Sequence, residues 1–207
     1  ETLVPADKAF VIERSLPHGH VEAVLLAMRR LGLAELLSSR RCPERDLVLA
    51  MLVEQVIHPC SKLATTRMWH TTTLAEELAV VEADEDDLYA ALDWLLARQG
   101  RIEQKLARRH LGEGSLVLYD VSSSYFEGRH CPLARYGHNR DHKHGKATIV
   151  YGVMTDGQGR PVAVEVYPGN TGDPTTVTDQ VQKLRERFGL TRIVLAGDRG
   201  MLTAAQI

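Results

Sequence analysis

Cysteine is scarce in this chain. Cys42, Cys60 and Cys131 are odd in number, far apart and contain no C-x-x-C pair, which argues against a disulfide framework or a zinc ribbon and leaves reduced thiols as the expectation. Long apolar runs are also missing. Nothing approaches the roughly 20 residues that cross a bilayer, and Glu1 to Phe10 lacks the basic-then-apolar layout of a secretory signal. These absences predict a cytoplasmic protein without a membrane partner. Charge of one sign is lacking too: 25 Lys and Arg against 27 Asp and Glu give a formal net charge of -2. Coating nucleic acid by bulk charge is therefore excluded, and any DNA contact must be local.

What is present is an ordinary globular composition, 44% apolar and 25% charged over 207 residues, enough for one large or two small domains. The start without methionine, and the end at Ile207 just after a new apolar segment opens, suggest a chain trimmed at both ends. From about His18 to Leu111 apolar residues recur at steps of three and four, a helical pattern with almost no strand signal. Val21, Val24, Leu25, Met28 and Leu31 form one stripe that Gly32 closes. Leu47 to Val53 reads as a helix buried between others and ended near Pro59. The acidic run Asp84 to Asp87 reads as a helix N-terminus. Beyond it, Leu88, Leu92, Leu95, Gln99, Ile102 and Leu106 form a seam that fits a monomer core, with a homodimer contact as the alternative.

The character changes at Leu116, so the spacing predicts an α+β protein: a helical region over 1–112 and a sheet-bearing domain over 113–207. Leu116 to Tyr119, Thr148 to Thr155 and Pro161 to Tyr167 read as strands, with Asp156-Gly157-Gln158-Gly159 as a hairpin between the last two. Asp173-Pro174 opens a helix through Arg187, Arg192 to Ala196 makes a fourth strand, and Thr203 caps a further helix. The predicted order is strand, strand, strand, helix, strand, helix.

Asp120 and Asp198 each follow a short apolar strand. If those strands are neighbours, two hard oxygen ligands meet at one sheet edge, which suits Mg²⁺ or Mn²⁺ with positions left for water and phosphate. Two such ions support phosphoryl transfer on nucleic acid. The bland alternative is that each aspartate is a loop residue or helix cap. The surrounding text goes further. Tyr119-Asp120-Val121-Ser122-Ser123-Ser124-Tyr125-Phe126-Glu127-Gly128, Pro168-Gly169-Asn170-Thr171-Gly172-Asp173-Pro174 and Gly197-Asp198-Arg199-Gly200-Met201 resemble, in order, the motifs of DDE transposases of bacterial insertion sequences. The likeness is specific over Leu116 to Ile207. Before that it is loose, where His58-Pro59-Cys60-Ser61-Lys62-Leu63-Ala64-Thr65 resembles the helical lead-in of such enzymes.

The resemblance implies a partial ribonuclease H-like core with a mixed sheet, Asp120 and Asp198 as catalytic metal ligands, and two Mg²⁺ or Mn²⁺ ions in the complete enzyme. It also implies double-stranded DNA, as element ends and target, for the substrate. The family's third acid, a glutamate on a later helix, lies beyond the end of this sequence; Glu127 and Glu165 are in the wrong places for it and read as structural. Transposition by DNA cleavage and strand transfer is the implied activity. A truncated transposase that only binds DNA or a partner subunit is the alternative.

Arg129, Arg135, Arg140, Lys143 and Lys146 stand against the single acid Asp141 in the loop after the first strand, a basic cluster suited to phosphates. Tyr136 could stack on an unpaired base; a solvated loop is the alternative. His130, Cys131, His138, His142 and His144 in the same loop lack the paired spacing of a structural zinc site. Asn170 and Thr171 are expected to cap the following helix and, by the resemblance, to orient DNA near the catalytic edge, while Arg199 is expected to hold phosphate. A haloacid-dehalogenase-like phosphohydrolase is the enzymatic rival. It needs an acid two residues after the first aspartate, where Ser122 stands, and a parallel sheet.

Overall fold

The computed structural model describes residues 5, 11–137, 145–198 and 201. The chain divides into two compact units, Glu1–Gln99 and Gly100–Ile207. The first is helical throughout its described elements: α1 (Gly19–Leu31), α2 (Leu33–Leu37), α3 (Pro43–Ile57), α4 (Lys62–Met68), α5 (Leu74–Glu77) and α6 (Glu85–Leu96). Gly32 ends α1 with φ 66°, the left-handed conformation that glycine adopts most cheaply, and its N–H reaches back to the Arg29 and Met28 carbonyls. Pro43 opens α3, where a missing N–H costs nothing. Its residues Leu47 to Met51 and Val53 are all buried, so this helix is the centre of the unit and packs chiefly on α6. Asp84 caps α6 as expected. Its carboxylate accepts from the Asp87 N–H at 3.0 Å, and Asp87 returns the bond to the Asp84 N–H at 3.1 Å.

The second unit begins with α7 (Gln99–His110) and continues through β1 (Leu116–Phe126), β2 (Ala147–Asp156), β3 (Pro161–Pro168), α8 (Asp173–Gln182) and β4 (Val194–Ala196). The predicted leucine seam is thus split between α6 and α7 at Ala97–Arg98, beside the polar Gln99 and Gly100 that interrupt it. Helix α7 divides from the helical unit rather than ending it, and it is bound to the sheet: Glu103 accepts from the Val164 N–H at 3.2 Å. Strand order is β3-β2-β1-β4, antiparallel through the first three and parallel between β1 and β4. The fold is α+β with a mixed four-stranded sheet.

Strand alternation puts Val117, Tyr119 and Val121 of β1 on one buried face with Val150 and Met154 of β2 and Ala163 and Tyr167 of β3. Val177 of α8 and Leu184 of the π-helical turn Lys183–Arg187 that follows it close over that face. Gly152 lies opposite Val121, and a Cβ there would stand 2.7 Å from the Tyr119 ring, so glycine is what admits the phenol. Two expectations are corrected. β1 does not stop at Tyr119 but runs on through Ser122-Ser123-Ser124, because its backbone pairs with β2 as far as Phe126 opposite Ala147 whatever the polarity of its side chains. Asn170 and Thr171 do not cap α8. Gly172, which has no side chain to offer, occupies the cap position; the Thr171 N–H instead closes a turn onto the Pro168 carbonyl at 2.9 Å. Thr203 lies outside the described residues.

Candidate functional site

Three pairs join β1 to β4: Leu116 with Val194, Val117 with Leu195, and Leu118 with Ala196. Each pair is offset by 78 residues (194 − 116, for example), and the same offset separates Asp120 from Asp198. The parallel register therefore carries the two aspartates toward the same level of the sheet. Both line one open pocket of about 410 Å³ with Leu118, Tyr119, Ala196 and Gly197. Gly197 lets the chains stay close beyond the last pair, since a Cβ on it would lie 3.3 Å from the Tyr119 carbonyl oxygen.

The two side chains are presented differently. Asp120 is an exposed position within β1, on the face opposite the Tyr119 core, and its Oδ1 accepts from the Val121 N–H at 2.8 Å. Asp198 follows β4 by two residues, is exposed, and starts a turn in which the Met201 N–H reaches the Asp198 carbonyl at 3.0 Å. Met201 is buried in the core and pins that turn. The expectation that each aspartate follows a short strand holds for Asp198, two residues past β4, whereas Asp120 lies inside β1, which runs on to Phe126.

The short β4 needs outside support for its register. Glu113, in the loop before β1, supplies it: its carboxylate accepts from the Thr191 N–H at 2.9 Å, the Thr191 hydroxyl at 3.1 Å and the Arg192 N–H at 2.7 Å. The Gly114 N–H donates to the Arg192 carbonyl and the Val194 N–H to the Ser115 carbonyl, at 2.7 and 3.0 Å. These backbone hydrogen bonds, from Thr191 first and then Arg192, hold the Glu113 carboxyl below the usual carboxylate range. No sequence signal marks Glu113, because a single acid in a loop acquires this role only once β4 is seen beside it.

The predicted basic loop is at another place. Arg135 pairs through its backbone with Thr148, which faces Tyr125 in β1. That is five residues along the strand from Asp120, about 17 Å away. Arg129 and Arg135 are exposed, as is Tyr136 at 76%, whereas Lys146 is paired with Glu127 at 3.0 Å. Asn170 follows β3, whose end Pro168 faces Ile149, so it lies at this same end of the sheet and two strands from β1. The expectation that Asn170 and Thr171 sit beside the catalytic edge is corrected accordingly. Arg140, Lys143 and Arg199 lie outside the described residues, as do His138, His142 and His144. Glu165 bonds Lys183 at 2.7 Å, a structural role like that of Glu127.

The donor set at the pocket is two carboxylates. Among the described residues no three His, Cys, Asp or Glu side chains are arranged to hold a metal ion. Two carboxylates nonetheless fit Mg²⁺ or Mn²⁺, which keep water and substrate oxygens for their remaining positions. No single helix among the described residues is long and apolar enough to cross a membrane. Compared with protein-family models, with curated proteins and with solved structures, the chain finds no match.

Proposed function

We propose that the sheet unit is the first part of a divalent-metal-dependent DNA transposase core of the ribonuclease H-like kind, with Asp120 and Asp198 as two of its metal ligands. The carrying observation is the common 78-residue offset, which brings two acids remote in sequence into one pocket across parallel neighbours. The strand order and the antiparallel β1–β2–β3 meander support the same reading and leave the phosphohydrolase rival without the parallel sheet it requires. Bound at this pocket, Mg²⁺ or Mn²⁺ would supply activation of an attacking oxygen and stabilisation of a leaving oxygen on a phosphodiester. The chain's own contribution is orientation. The Val121 N–H sets the Asp120 carboxylate, the Glu113 clamp sets β4, and the open pocket admits a backbone phosphate.

A second reading, a chain that binds DNA without cutting it, is favoured by one observation: only two acids converge at the pocket among the described residues. Nicking of supercoiled plasmid with Mn²⁺ separates the two. The unsubstituted chain is expected to nick, and Asp120→Ala and Asp198→Ala each to fall to background. Failure of the unsubstituted chain to nick, with DNA binding retained, assigns it the binding role.

A further inference from the structure

Gly152 and Gly197 are glycines for one shared reason. Neither takes a positive φ, so no left-handed turn demands them, and both stand beside Tyr119. Tyr119 pairs with Met154, but its ring leans two positions along β2 to Gly152, a diagonal contact. A Cβ on Gly152 would meet the phenol hydroxyl first and then two ring carbons at 2.7 Å. On the other side, a Cβ on Gly197 would lie 3.3 Å from the Tyr119 carbonyl oxygen. One residue is thus admitted by a glycine within β2 and by a glycine just past the end of β4.

The far end of Tyr119 is fixed as well. Its side chain is buried, and those of Thr176 and Tyr167, also buried, act on its hydroxyl. The Gln180 amide donates to the Tyr167 hydroxyl at 2.8 Å, so α8 anchors the group through Thr176 and Gln180. Burial, ahead of any neighbouring charge, pushes both phenols above their ordinary range, and they stay neutral. The residues next to this fixed point are those of the pocket: Asp120 follows Tyr119 directly, and Asp198 follows Gly197. A functional site keeps its groups within about 0.5 Å of the productive geometry. A methyl on Gly197 would force the strands apart by a few tenths of an ångström, and one on Gly152 would displace a rigid, buried ring.

From this we infer that Tyr119 is a positioning residue: seated between Gly152 and Gly197, it sets the separation of Asp120 from Asp198. It acts through the backbone, since its ring belongs to the core face of β1 and the Asp120 side chain to the opposite face. The inference rests on the reading above only for what that separation serves, the holding of Mg²⁺ or Mn²⁺. The separation itself is measurable without metal.

The test is disulfide formation between Asp120→Cys and Asp198→Cys in the full chain, with Cys42, Cys60 and Cys131 replaced by serine and with oxidised glutathione in EDTA. Its rate reports the separation, because a disulfide needs Cα atoms within about 7 Å. Gly197→Ala is expected to slow it severalfold at unchanged melting temperature. Gly152→Ala is expected to slow it about tenfold, since misplacement by about 1 Å costs an oriented reaction up to about 100-fold. Tyr119→Leu ends short of the clashing atoms; it slows the reaction by itself yet is expected to restore the rate in the Gly152→Ala chain, a coupling that independent effects do not produce. Equal rates in all these chains overturn the inference. So does a rate that merely follows melting temperature, failure of Tyr119→Leu to rescue, or absence of the crosslink in the parent pair. If Gly152→Ala does not fold, Gly197→Ala decides alone. Mn²⁺ affinity is read separately on chains with both aspartates intact: slowed crosslinking in a chain that binds no Mn²⁺ leaves Tyr119 in its role and removes the metal reading.

Discussion

Replacing Glu113 with alanine removes the common acceptor of three donors in Thr191 and Arg192. Only three residue pairs hold β4 against β1, so the expected effect is local. Amide exchange at Val194 to Ala196 accelerates while that at Val150 to Met154 in β2 does not, and Mn²⁺ affinity at the proposed Asp120–Asp198 metal site falls about tenfold, as when groups that orient metal ligands are lost. Glu113→Gln keeps an acceptor and is expected to restore part of both. An effect on exchange without one on Mn²⁺ would make the clamp structural only. The pH dependence has a definite sign. With its folded pKa depressed, Glu113 stabilises above the ordinary glutamate value of about 4.3, and that contribution disappears as pH falls through the folded value.

Elements differ in how openly the sequence declares them, and the difference is physical. Helix α6 is announced by Asp84 because capping is local chemistry between residues three apart. Asp84→Ala is accordingly expected to cost about 1 kcal/mol in urea unfolding, with Asp84→Asn costing much less. The β2–β3 hairpin is equally legible. The Asp156 carboxylate accepts from the Gln158 and Arg160 N–H groups at 2.9 and 3.0 Å, and Gly159 takes φ 78°. What was hidden depends on partners distant in sequence. β1 extends through three serines because β2 supplies the other half of the ladder. Asn170 and Thr171 have the composition of caps, but the turn onto Pro168 places Gly172 at the helix start instead. Glu103 of α7 is hidden in the same way, since nothing in its spacing shows that it turns inward onto the Val164 N–H and Lys183.

Across the whole molecule, buried and bonded carboxyls are distributed unevenly between the two units. In the helical unit Glu54 is 1% exposed, and burial pushes its pKa up against the opposing charges of His58, whose Nδ1 lies 3.3 Å away, and His20. Ionised Glu54 therefore weighs against folding as pH rises above the ordinary value, and the penalty is absent below it. Glu44 in the same unit is shifted the other way by its own backbone N–H and by Cys42. In the sheet unit Glu113 and Asp156 are both shifted down; for Asp156, burial is outweighed by the Arg160 side chain and the Arg160 and Gln158 N–H groups. Acidification should thus weaken the sheet unit more than the helical one. Trp69 and Trp94 both belong to the helical unit, so tryptophan emission follows it alone, while amide exchange in β2 follows the other. Lowering pH from 7 to well below the ordinary aspartate value of about 3.9 is expected to reduce β2 protection, corrected for intrinsic rates, more than it lowers the tryptophan-detected urea midpoint. Glu54→Gln should narrow that gap by removing the helical unit's gain in acid.

The parallel register of β4 also determines which changes of chain length the molecule can absorb. Extra residues in the excursion between Phe126 and Ala147 leave every strand partner as it was. Deleting one residue between Thr191 and Ile193 slides β4 by a single step, and since neighbouring side chains in a strand point to opposite sides, Asp198 turns away from Asp120. A ten-residue insertion in the first segment is therefore gentler than a one-residue deletion in the second.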